Sequence, residues 1–250
     1  MQAIVFAGLL ALVGVSLAVG VKLLLIARRT RGFPELSLGL FFLVGAGLGY
    51  PLSGAAPLSG AWEPFLATLS TLFTGTATVM LYAFTARVFH PGQPAGRLGV
   101  AVGVALSLTY VVGYSQAQLT ATTEAELLRG TMIWGGVSLV MSAGGYGWTS
   151  FASLRQYAMH RKRLALGLAD PVVTNRMLLW GMMGLTTITV VVIDGFLLYR
   201  GSDFARDIVI PLVTSAGGLL FGVFLALAFF PPSSYLDAVR RRAPVAHGVA

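Results

Sequence analysis

No cysteine occurs among the 250 residues, which excludes disulfides, thiolate metal sites and a cysteine nucleophile and leaves the redox compartment unmarked. Charge is scarce as well, at 10% of the chain against roughly 25% in soluble domains. Only two of the 17 basic residues are lysines, Lys22 and Lys162. The three histidines, His90, His160 and His247, all fall outside the apolar runs. That leaves no intramembrane imidazole for a metal site or a proton wire. No GxSxG, HExxH or phosphate-loop pattern is present, and no apolar run holds two carboxylates, so no enzymatic chemistry and no metal are expected.

What the chain has in quantity is apolar length. Hydrophobic residues make up 56% and the mean hydropathy is +0.81, more apolar surface than a soluble core can absorb. The runs predict an all-α integral membrane protein, a single domain of seven spans at about 3–27, 36–52, 65–89, 98–114, 130–154, 173–199 and 208–230, followed by a short basic tail over 233–250. The first run has no positive charge before it and is too long for a secretory signal, so it reads as a retained helix. The second closes at Pro51, and no proline falls in the middle of any expected span. The segment 53–64, SGAAPLSGAWEP, reads as a small flexible loop with Trp62 as an interfacial anchor.

Local signals fix several helix ends. Thr123 and Glu126 have capping-box spacing, which starts the fifth helix before the bilayer, and its basic end, SFASLRQYAMHRKRLAL, continues beyond it. Asp170 before Pro171 reads as an N-cap with proline at the first helical position. Gly99 with Gly103, and Gly218 with Gly222, have the spacing of close helix approach, while Gly144–Gly145 and Gly217–Gly218 are candidates for local irregularity.

A net charge of +8 would suggest nucleic acid in a soluble domain. Here the basic residues occupy short segments between spans, so they set topology and no nucleic-acid partner is expected. Fourteen of the 17 Lys and Arg fall on the side of the loops after spans 1, 3 and 5 and the C-terminal tail, against Arg129, Arg200 and Arg206 on the other. This places the N-terminus outside and the C-terminus in the cytoplasm. Arginine in place of lysine is the bias of a GC-rich bacterial coding sequence, which points to the inner (plasma) membrane.

The stretch MLLWGMMGLTTITVVVIDGFLLY, 177–199, is long enough to cross a bilayer and carries a single charged group, Asp194. A carboxylate costs ~2.5–3.5 kcal/mol at the bilayer centre and less toward its edge. Asp194 precedes Tyr199 by ~7.5 Å along the axis, within the outer third. Thr187 and Trp180, seven and fourteen residues earlier, share its face. One reading is a proton, cation or ligand counter-ion site near the outer side; the other is a structural carboxylate paired with Arg200, Arg206 or a neighbouring hydroxyl.

In the third span Thr68, Thr71, Gly75, Thr78 and Tyr82 also share a face, which either packs on neighbours or lines a solute path. Lys22 lies within snorkelling reach of the headgroups. The aromatics Trp134, Tyr146, Trp148 and Trp180 read as packing or as pocket walls. Arg161, Lys162 and Arg163 form a cytoplasmic basic face, for anionic lipid or for a protein partner.

Seven spans with an outside N-terminus is the layout of microbial rhodopsins and heptahelical receptors, a similarity of architecture alone. A retinal Schiff base needs a lysine in the seventh span, which has none, so no cofactor is expected. The preferred function is a non-enzymatic heptahelical sensor or receptor-like ligand-binding bundle acting through a separate cytoplasmic or membrane partner. The alternatives are a small-solute or proton-coupled transporter or channel, and an accessory membrane subunit.

Overall fold

The structure, a computed structural model, describes residues 2–200 and 209–241. Expectations that fall on Arg206, Ile208 and the tail beyond Arg241 lie outside the described residues. All regular structure among the described residues is helical. We label the helices α1 (Gln2–Thr30), α2 (Phe33–Leu58, composite), α3 (Glu63–Phe89), α4 (Pro94–Thr120), α5 (Glu124–Ala165), α6 (Pro171–Tyr199), α7 (Val209–Phe229) and α8 (Ser233–Arg241).

Six of these are long and apolar enough to cross a membrane: Leu10–Thr30 within α1, α2, a stretch Gly60–Phe89 that includes α3, α4, Pro171–Leu197 of α6, and α7. The fifth expected span is not among them, because the middle of α5 is diluted by glycine, serine, tyrosine and tryptophan. It is nevertheless packed along α3, α4 and α6.

The cap signals act as their chemistry requires. Asp170 Oδ1 accepts from the N–H groups of Val172 (2.6 Å) and Val173 (3.2 Å), and Thr123 Oγ1 accepts from Glu126 N–H at 3.2 Å. The return half of the box shifts by one residue: Glu126 Oε2 takes the N–H and hydroxyl of Thr122, both at 2.9 Å. The Thr122 N–H first, then its hydroxyl, holds the Glu126 carboxyl below the ordinary carboxylate range. At the opposite face of the bundle, Lys22 Nζ donates to the Phe229 carbonyl at 2.8 Å and sits 4.3 Å over the Phe230 ring. A lysine in an apolar helix is thereby used to cap the C-terminus of α7.

Two expectations are corrected in α2. The second span is not short: the helix runs through Pro51 to Leu58, so a proline does lie inside it, and much of the expected loop is coiled into its last turns. The irregularity falls here and not at the glycine pairs of α5 and α7. Phe41–Gly49 is a nine-residue π-helix between α-helical Phe33–Leu40 and Tyr50–Ala55. The physical reason is Pro51, which has no N–H and whose ring clashes with the carbonyl four residues back, that of Gly47. A wider turn relieves that clash, and Gly45, Gly47 and Gly49 make the widening easy. Ser70 of α3 then donates to the Gly49 carbonyl at 2.9 Å, tying the widened end to its neighbour.

The expected glycine pair of α7 is corrected too. A Cβ at Gly222 would meet nothing within 4 Å and one at Gly218 only Leu12 and the Gly8 carbonyl at ordinary distance, whereas one at Gly217 would lie 2.2 Å from Val190 Cγ2. Val190 is β-branched and cannot swing away. Gly217→Ala is therefore expected to lower stability by about 1–3 kcal/mol through overpacking, while Gly222→Ala stays within about 0.5 kcal/mol. Thermal unfolding of the two variants in one detergent checks this. Five glycines of α4 and α5 make room for rings: Gly99 for Trp148, Gly103, Gly144 and Gly145 for Tyr82, and Gly113 for Trp134.

Candidate functional site

The helices α1 to α7 surround a partly open cavity of about 420 Å³ in the half of the bundle nearer the start of α1, and each contributes to its wall. Register follows from contacts at the α1–α7 seam. Gly8 packs on Ser215, Leu12 reaches Gly218, and Lys22 reaches Phe229, so the two helices run parallel and in step. At ~1.5 Å per residue, Asp194 and Thr214 lie near the shallow end, and Phe221 and Ser16 lie about 10–14 Å deeper.

Asp194 is 7% exposed. Its Oδ2 accepts from the Thr214 hydroxyl at 3.1 Å, while Oδ1 has no hydrogen-bond partner. Among the described residues it makes no ion pair, and Arg200, an expected partner, lies instead against the Phe196 ring. Ser16, fully buried on the cavity wall, also has an unpartnered hydroxyl. Two buried polar atoms without partners on one cavity are uncommon, since such groups cost about 1–3 kcal/mol when left unmade.

The deep part of the wall is aromatic. Tyr146 is held edge-on between Phe41 (5.9 Å) and Phe221 (6.3 Å), and Phe42 meets Phe221 at 6.4 Å. Tyr50, contributed by the turn just after the π-helix, and Tyr110 of α4 complete the set of three tyrosines. Among the described residues of the lining there is no Lys, Arg or His. Toward the other face the bundle closes on a core that includes Val19, Leu23, Leu81, Phe84, Met183 and Leu225.

Of the polar and aromatic residues singled out on the sixth and third spans, Asp194, Thr187 and Thr78 line this cavity. Trp180 does not. It stacks on Phe84 at 5.2 Å and meets Phe229 edge-on at 5.8 Å, within the closing core. Thr71 is buried with its hydroxyl on the Ala67 carbonyl (2.8 Å), outside the lining. The wall on α3 is Ser70, Thr74, Ala77 and Thr78, one position away from the face inferred by spacing. Of the four aromatics considered, Tyr146 alone reaches the cavity.

Ser16, Tyr50, Tyr110 and Thr214 were missed. Tyr50 was hidden because Pro51 reads as a stop, and Ser16 and Thr214 because single hydroxyls in apolar runs carry no pattern. Arg161, Lys162 and Arg163 are exposed at the end of α5, more than about 20 Å along the helix from Tyr146. Comparison with family models, curated proteins and solved structures finds no match.

Proposed function

We propose that the chain is a receptor-like heptahelical bundle that binds a small molecule in the cavity around Asp194 and acts through a separate membrane or cytoplasmic partner. In this reading α5 is the seventh crossing. Its placement between α4 and α6 supports that, since packing inside a bundle permits a less apolar helix. The face with Asp194 is external and the arginine-rich face cytoplasmic, by the positive-inside rule, and the excess of arginine over lysine supports a bacterial plasma membrane as the host.

The observation that carries the proposal is the pairing of a half-satisfied buried carboxylate with a cavity of about 420 Å³, within the 300–1,000 Å³ range of small-molecule sites. A transporter or channel needs a polar route to both faces. The apolar core beneath Phe42 and Phe221 favours binding over passage.

Native mass spectrometry of protein extracted gently from its own membrane tests this. The expected result is one retained small molecule per chain, absent from Asp194→Asn protein of equal stability. A wild-type chain that is always empty, or one that retains only a second polypeptide, overturns it.

A further inference from the structure

We propose that the ligand is an elongated organic monocation with a hydrogen-bonding group at its far end, its charge on Asp194 and its tail group on Ser16. This rests on the reading of the cavity as a ligand site and adds the chemistry of what fills it.

Charge is set by the lining. Asp194 is 7% exposed, has one oxygen without a partner and faces no cationic side chain among the described residues; in its charged form it draws its countercharge from the occupant. Length is set by the second unpartnered atom. Gly8 is level with Ser215, next to the Asp194 partner Thr214, and Ser16 lies eight residues further along α1, about 12 Å deeper. A bare metal ion cannot serve two groups that far apart, and a hard cation wants six or more oxygens at 2.0–2.6 Å. A slender molecule spanning the cavity serves both. Its middle passes the rings of Tyr146, Phe41 and Phe221, so the linking segment is apolar or aromatic. A free amine and a lipid-borne amine share this head chemistry; the limited volume favours the free molecule.

Isothermal titration of full-length protein in nanodiscs at pH 7, with empty nanodiscs subtracted, is run with four probes of matched chain: 8-aminooctan-1-ol, octylamine, octane-1,8-diol and 8-hydroxyoctanoate. The amino alcohol is expected to bind about tenfold tighter than either the diol or the plain amine, and the anion is expected not to bind. Asp194→Asn should erase the preference for amine over diol, with Asp194→Glu restoring most of it. Ser16→Ala should erase only the preference for the amino alcohol over octylamine. Diol binding equal to the amino alcohol, or amine preference surviving in Asp194→Asn, overturns the proposed chemistry and leaves a neutral-ligand cavity standing. Failure of all four probes in a wild-type chain that retains a native small molecule also overturns it. Failure of all four in a chain that retains none removes the ligand site itself.

Discussion

With Asp194 replaced by leucine, the ligand-free protein is expected to unfold at a higher temperature than the wild type. The direction follows from what the carboxylate does in the empty bundle. One hydrogen bond, from Thr214, is its whole return for being buried, and Oδ1 has no partner. Against that single bond, worth about 1.5–3 kcal/mol to a charged group, stands a desolvation penalty of several kcal/mol per ion.

Leucine removes the penalty and adds apolar contacts toward a cavity that has room for them. Thr214 is not stranded by the change. Its hydroxyl can turn to the carbonyl of Ile210, four residues back, as the hydroxyls of Thr71, Thr78, Thr85 and Thr187 already do in their own helices. A gain of about 1–3 kcal/mol is expected, read by thermal unfolding in nanodiscs. Residues kept for binding carry such a stability cost, whereas structural carboxylates do not. A lower unfolding temperature would therefore return Asp194 to a structural role and remove the site with it.

How much of this was legible in the sequence depends on the kind of signal. Apolar runs and caps depend on local chemistry, so six of the seven expected spans, as helices long and apolar enough to cross a membrane, the N-cap of Asp170 and the starts of α5 and α6 can be read directly. Asp194 stands out because a charge in an apolar run is costly wherever it points. Hydroxyls give no such contrast. Threonines of α3 recur often enough to define more than one face, and only the positions of α2, α4 and α5 around it select Ser70, Thr74 and Thr78 over Thr68 and Thr71. Trp180 shares a helical face with Asp194, yet fourteen residues carry it about 21 Å away, into the core that closes the cavity. Pro51 was misread because a proline normally ends a helix; a π-helical turn placed before it lets the helix continue.

That π-helix supplies the second large effect. Deleting Leu48 should abolish ligand retention while leaving a folded bundle. Leu48 is 42% exposed, so losing its side chain removes little packing, and Leu48→Ala serves as the control with retention intact. What the deletion changes is register: with the wide turn kept, as clearance of Pro51 requires, one residue fewer turns the two ends of α2 against each other by roughly a quarter turn. One end must yield. The lower end is held by Phe41 and Phe42, 9% and 2% exposed, and by Gly45, where a Cβ would lie 2.8 Å from that of Ala77. The upper end is anchored by Ser70 on the Gly49 carbonyl, by Gly49 against Thr74 and by buried Ala56, without a buried aromatic ring, and so is the weaker hold. The upper end therefore rotates, carrying Tyr50 and Ser53 out of the cavity wall. Stability should fall by about 1–3 kcal/mol, far less than misplacing the two phenylalanines would cost. Because the same π-helix joins the cavity wall to the start of α2 at the arginine-rich face, a ligand that favoured one register over the other would move that face through this element. Hydrogen exchange across 41–58, compared between wild-type and Leu48-deleted protein, reads the change directly. Unchanged exchange with retention preserved would show that the widened turn is a passive accommodation of Pro51.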